Sequence, residues 1–144
     1  MNWIVILIVL IAGVATSIQA TVNGELGRKV GLIEAAFISF LVGTIFLSIM
    51  LAFLKKGNIT HALYVPKWQL IGGLLGACYI LIMIFAVPRI GIAAAVTTLI
   101  IGQLTCSTII DHFGLGASKP IPIDLQRVAS LAFMAIALFL FFKK

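Results

Sequence analysis

The sequence predicts an all-α integral membrane protein, a bundle of five transmembrane helices, and three observations carry that expectation. The chain is 62% hydrophobic and 10% charged, against roughly 45–50% apolar and about 25% charged in soluble domains. Its mean hydropathy is +1.25. The apolar residues also fall into five runs, each close to the roughly 20 residues that a helix needs to cross a hydrocarbon core about 30 Å thick.

In order, the runs cover residues 3–22, 32–54, 68–87, 92–110 and 125–142. The first turns polar toward its end through Thr16, Ser17, Gln19 and Asn23, and a connection rich in Gly and charge follows it. The second stops at Lys55-Lys56. The third stops at Pro88-Arg89, where the proline breaks the hydrogen-bond ladder and Gly91 supplies a turn. The fourth leads into Asp111, and the fifth ends at Lys143-Lys144. Every run is expected to be helical, because lipid offers no partner to backbone N–H and C=O groups. The period-two alternation of a membrane barrel is absent. Short connections predict that sequential helices are antiparallel neighbours. The whole chain, 1–144, reads as a single transmembrane domain. No Lys or Arg precedes the first run, so that run is expected to stay as a helix and not to be cleaved as a signal peptide.

Trp3, Tyr64 and Trp68 sit at run ends, where amphipathic rings anchor at the headgroup level. The net charge of +6 lies in loops, at helix boundaries and at the C-terminus, a distribution suited to anionic headgroups. No segment is long enough to form a solvated basic module for nucleic acid. Cys78 and Cys106 lie inside apolar runs and read as small hydrophobes.

Orientation is normally set by an excess of Lys and Arg on the cytoplasmic side. Lys55, Lys56, Lys67, Lys119 and Arg127 fall on the N-terminal side, and Arg28, Lys29, Arg89, Lys143 and Lys144 on the other, so the bias is zero. A chain without bias is expected to insert both ways and to pair as an antiparallel homodimer, or to pair with an inverted sister protein. Inverted repeats of that kind are common in transporters. The competing reading assigns Arg127 to the fifth helix and leaves a slight bias.

Polar groups inside a bilayer are costly and face the protein interior or water. On the first helix Ala12, Thr16, Gln19 and Asn23 recur at helical spacing; the stripe suits either a substrate or polar contacts between helices. Glu34 stands near the start of the second run, where a helix N-terminus favours a carboxylate; it reads as an exposed first-turn acid or as a cation or proton site. Ser39 and Tyr79 are further candidates. Gln103 is the most deeply placed amide, on one face with Ser107 and Asp111, and must meet protein, water or substrate. Gly72 and Gly76, and the stripe Gly91, Ala95, Thr98, Gly102 and Thr105, read as close-packing surfaces. His61 and His112 have no second ligand at metal spacing, and solvated or capping roles are expected for both. Neither a metal nor a cofactor is expected. No nucleophile–base pair, phosphate-cradling loop or carboxylate pair is recognisable, so the chain is not expected to be an enzyme.

Three stretches carry a family resemblance: Gln19-Ala20-Thr21-Val22-Asn23-Gly24-Glu25-Leu26-Gly27, then Ala36-Phe37-Ile38-Ser39-Phe40-Leu41-Val42-Gly43-Thr44, and Gly102-Gln103 leading into Asp111-His112-Phe113-Gly114-Leu115. On these the chain resembles the YdcZ-like family of bacterial inner-membrane proteins in the drug/metabolite transporter superfamily, across nearly its whole length. The resemblance implies half of a ten-helix inverted-repeat carrier, acting as an antiparallel dimer on small metabolites or drug-like compounds. The related four-helix multidrug exporters place a glutamate midway along their first helix, whereas this chain has Ala12 and Gly13 there. A secondary transporter is therefore the leading expectation, with Thr16, Gln19, Asn23, Glu34, Ser39, Tyr79 and Gln103 around its substrate. The alternative is a non-transporting membrane partner subunit that stabilises another protein, and a channel is weakened by the lack of a charged ring or filter.

Overall fold

The computed structural model describes residues 3–54, 57–114 and 120–143. Lys55, Lys56, Leu115, Lys119 and Lys144, which enter the charge count or the family motif, lie outside the described residues. Five α-helices account for almost all of the rest: α1 (Trp3–Val30), α2 (Leu32–Leu54), α3 (Gly72–Ile90), α4 (Ile92–Phe113) and α5 (Leu125–Phe142). Among the described residues there is no strand. Four segments, Trp3–Val30, Leu32–Leu54, Lys67–Ile90 and Ile92–Phe113, are long and apolar enough to cross a membrane, and α5 contributes a shorter apolar stretch, Leu125–Leu140. The protein is an all-α, multi-helix membrane bundle.

The chain divides into two compact units, Met1–Arg89 and Ile90–Lys144. In the first, α1 runs past the expected end of its apolar run at Val22. It passes through Gly24 and Gly27 to Val30, so the expected glycine-rich connection is helix and the link to α2 is Gly31 alone. Gly31 has φ +107°, a region that side chains other than glycine's rarely tolerate. It closes both helices at once: its N–H donates to Gly27 O at 3.1 Å and its own carbonyl accepts from Ala35 N–H at 3.0 Å. At about 1.5 Å per residue, the 28 residues of α1 rise about 42 Å, more than the roughly 30 Å of a hydrocarbon core. With Trp3 anchored at one interface, the helix is long enough to carry Arg28 and Lys29 in its last turn past the hydrocarbon on the other side.

Gly24 and Gly27 of α1 act as contact surfaces, whereas Gly13 has nothing within 4 Å. A side chain at Gly27 would run into Ile84 of α3, and one at Gly24 would touch Val87 at 3.5 Å. The core of the unit forms around that crossing, from Ala35, Ala36, Ile80 and Ile84, with Leu26, Leu32, Tyr79 and Leu81 packed against it. Further along, Phe40 of α2 lies over Gly76 of α3 at 3.6 Å from where a Cβ would stand, whereas Gly72 and Gly73 have nothing within 4 Å. Of the expected Gly72/Gly76 surface, then, only Gly76 is packed within the chain.

Two short 3₁₀ turns, Ile59–Leu63 and Lys67–Ile71, join α2 to α3. The first is capped by Asn58, whose Oδ1 accepts from Thr60 N–H at 3.0 Å. Contrary to the expectation that Pro88 ends the third helix, α3 carries it within its last turn and stops at Ile90. A proline there removes a single ladder bond close to the terminus. It also leaves its ring free to pack beside Gly24.

In the second unit α4 and α5 pack directly on each other. Gly91 (φ +81°) precedes α4 and Gly114 (φ +61°) caps its end. The Asp124 side chain caps α5 by accepting from Arg127 N–H at 2.8 Å.

Candidate functional site

The N-terminal half of α1 and its C-terminal half differ sharply. Ile4, Val5, Ile6 and Leu7, one full turn, are 70%, 51%, 37% and 58% exposed, so every side of this apolar stretch is open. Burial begins at Ala20 and continues through Asn23 and Gly24. Asn23, 6% exposed, is the one buried polar residue among those described. Its Oδ1 accepts a hydrogen bond of 2.6 Å from the Ser39 hydroxyl of α2.

That contact follows from local structure. Because Gly31 folds α2 directly back on α1, residues equally far from the turn face each other, and Asn23 and Ser39 each stand eight positions from Gly31. The pair brings together two of the predicted site residues. Tyr79 flanks the same unit's core, half-buried against Ala35, Ala36, Ile80 and Ile84.

Thr16, Gln19 and Glu34 stand apart from this pair. The Thr16 hydroxyl donates to the Gly13 carbonyl at 2.8 Å, an exposed contact within its own helix. Gln19 is exposed. Glu34 is exposed in the first turn of α2, and its carboxylate lies back toward Gly31, where the free N–H groups of a helix start favour negative charge. Gln103 lies in the other unit, exposed on α4.

The α4–α5 pair holds a polar cluster that the sequence reading did not assemble. Arg127 Nη1 stands 3.2 Å from Asp111 Oδ2, with the two side chains 30% and 34% exposed. The same turn is tied down by Ile121 N–H donating to Asp111 O at 2.8 Å and Ile123 N–H donating to His112 Nδ1 at 3.3 Å. His112, expected in a solvated or capping role, here accepts a bond from the segment before α5, whose N-cap is Asp124. Beside the ion pair is a cavity of about 220 Å³ lined by Ser107, Thr108, Ser130 and two leucines. The available signal was the acid in Gly102-Gln103…Asp111 facing a basic residue one turn inside the next helix. Counting Arg127 only toward the orientation bias hid it.

Among the described residues no group of three or more His, Cys, Asp or Glu is placed to hold a metal ion. Cys78 and Cys106 are free thiols.

A family model described as "Putative inner membrane exporter, YdcZ" matches residues 4–140. No curated protein and no solved structure matches the chain. The match runs from the exposed start of α1 through the Asn23–Ser39 hairpin and the Asp111–Arg127 pair almost to the end of α5, and on that span this multi-pass inner-membrane protein belongs to the YdcZ family.

Proposed function

We propose that the chain is a secondary transporter exporting small metabolites or drug-like compounds. It works as an antiparallel dimer that alternates access about a site near the bilayer midplane. The observation that carries this reading is the exposure of two amides, Gln19 and Gln103, on apolar membrane-crossing helices. An amide facing hydrocarbon without a partner costs several kcal/mol. In a lone protomer neither Gln19 nor Gln103 makes a side-chain hydrogen bond to any described residue, so each needs a second protomer or a wet path. A dimer enclosing a polar route supplies both. The open apolar start of α1 is a surface for the same pairing.

Zero charge bias favours the antiparallel arrangement, and inverted protomers rocking about a shared site is how fused inverted-repeat carriers work. In this scheme the Asn23–Ser39 pair and Tyr79 form a fixed polar floor, while Thr16, Gln19 and Gln103 line the path. Glu34 sits at its edge, where it exchanges a proton or a cation with the substrate.

The test is the extracellular metabolite profile of cells expressing the chain against cells expressing Gln103→Leu at equal membrane level. Export predicts compounds that accumulate outside only with the unaltered chain. Identical profiles, with both proteins inserted, would instead favour the non-transporting partner subunit.

A further inference from the structure

In the first unit, the C-terminal turns of α1 and α3 flank an open cleft of about 410 Å³ whose lining includes Arg28, Leu32, Ile84, Phe85 and Arg89. We propose that this cleft binds the phosphate of an anionic phospholipid, the two guanidinium groups taking the headgroup and the apolar wall taking the glycerol and the first part of the acyl chains.

Arg89 is held in place for this. Its Nη1 donates to the Phe85 carbonyl at 2.5 Å, and its guanidinium lies 3.6 Å over the Phe85 ring. Stacking on an aromatic face and bonding a helix-end carbonyl fix the plane of the group and leave other N–H donors directed away. Among the described residues Arg28 has one charged partner, Glu25, at 3.7 Å, and the two side chains are 68% and 62% exposed. Such an exposed pair is worth little and yields readily to a phosphate. Guanidinium groups present planar forks that match phosphate oxygens two at a time.

The depth and the sign both select the ligand. The length of α1 puts Arg28 beyond the hydrocarbon, in the layer where lipid phosphates are concentrated, and Arg89 ends the helix that crosses α1 there. No carboxylate lines the cleft. Glu25 belongs to the depression on the other side of Arg28, and Glu34 turns back toward Gly31. A choline or ethanolamine headgroup therefore finds no anion inside the cleft for its ammonium, while a headgroup with net negative charge is matched. Basic pockets between membrane helices are suited to such lipids. The apolar wall of Leu32, Ile84 and Phe85 separates this ligand from free phosphate, which would leave that surface wet.

The experiment is native mass spectrometry of the full chain released from micelles holding equal amounts of phosphatidylglycerol and phosphatidylcholine. It compares the unaltered chain with Arg28→Gln, Arg89→Gln, the double variant and the control Lys143→Gln. Phosphatidylglycerol retention should exceed that of phosphatidylcholine, fall about fivefold for each arginine removed, and be unchanged by Lys143→Gln. Equal loss with Lys143→Gln would overturn the site in favour of diffuse attraction, and equal retention of the two lipids would overturn the charge argument. Inorganic phosphate displacing the lipid at millimolar concentration would overturn the lipid as occupant. Should the double variant fold poorly, the single variants decide, since each alone must lower retention.

Discussion

Ser39 donates a 2.6 Å hydrogen bond to Asn23 from across the α1–α2 interface, and Asn23 is the buried polar residue on which the first helix hairpin closes. Hydrogen bonds between membrane helices are worth about 0.6 kcal/mol on average and at most about 1.7. A double-mutant cycle with Ser39→Ala and Asn23→Ala, followed by unfolding in mixed micelles, should return a coupling within that range. Additive effects would show that the pair contributes no interaction of its own.

Gly27 should tolerate no side chain. Because a Cβ there meets Ile84, Gly27→Val should cost about 1–3 kcal/mol through overpacking, and Ile84→Ala should recover part of it. Gly43, with nothing within 4 Å, gives the contrast. Gly43→Ala should be neutral, or stabilising by up to about 1 kcal/mol through helix propensity. Thermal aggregation midpoints of the four variants check both statements.

In the proposed carrier the amide of Gln103, exposed on α4, lines the transport path and is not needed for the fold of the protomer. Gln103→Leu should leave membrane level and helix content intact while abolishing export, measured by the extracellular metabolite profile. Loss of assembly without any transport phenotype would favour the partner-subunit reading.

The Asp111–Arg127 pair ties α4 to α5. Either Asp111→Asn or Arg127→Gln should destabilise by about 1 kcal/mol, as expected for a partly exposed pair. The exchange Asp111→Arg with Arg127→Asp should recover some of that loss. Unfolding midpoints of the three variants settle the point. No recovery would mean that the cap bonds from Ile121 and Ile123 hold this turn without the ion pair.

The five helices were legible as apolar runs because lipid imposes length and composition on a crossing segment. What the runs hid was the meaning of individual residues. Gly24 and Gly27 read as a break after Val22, yet inside a packed bundle the same residues let α3 approach, and packing offsets the propensity they lose. Pro88 read as a stop, but in a last turn it gives up only one bond. Asn23 and Ser39 were each visible as candidates. Their contact was not, since it depends on a connection of the single residue Gly31 where a longer loop was expected. Arg127 was counted as a boundary charge on the N-terminal side; Asp124 caps α5 and places it inside the helix, as the competing reading had it.

The central claim, an antiparallel carrier, is tested most directly by topology in native membranes. In a variant lacking Cys78 and Cys106, single cysteines either replace Gly57, in the connection after α2, or are appended after Lys144, so that every Lys and Arg is kept; each is labelled from outside with an impermeant reagent. The account predicts that both positions label, each to about half, because a chain without charge bias inserts in both orientations. Labelling of one position alone would contradict the homodimer, leaving only pairing with an oppositely oriented sister protein or no pairing at all.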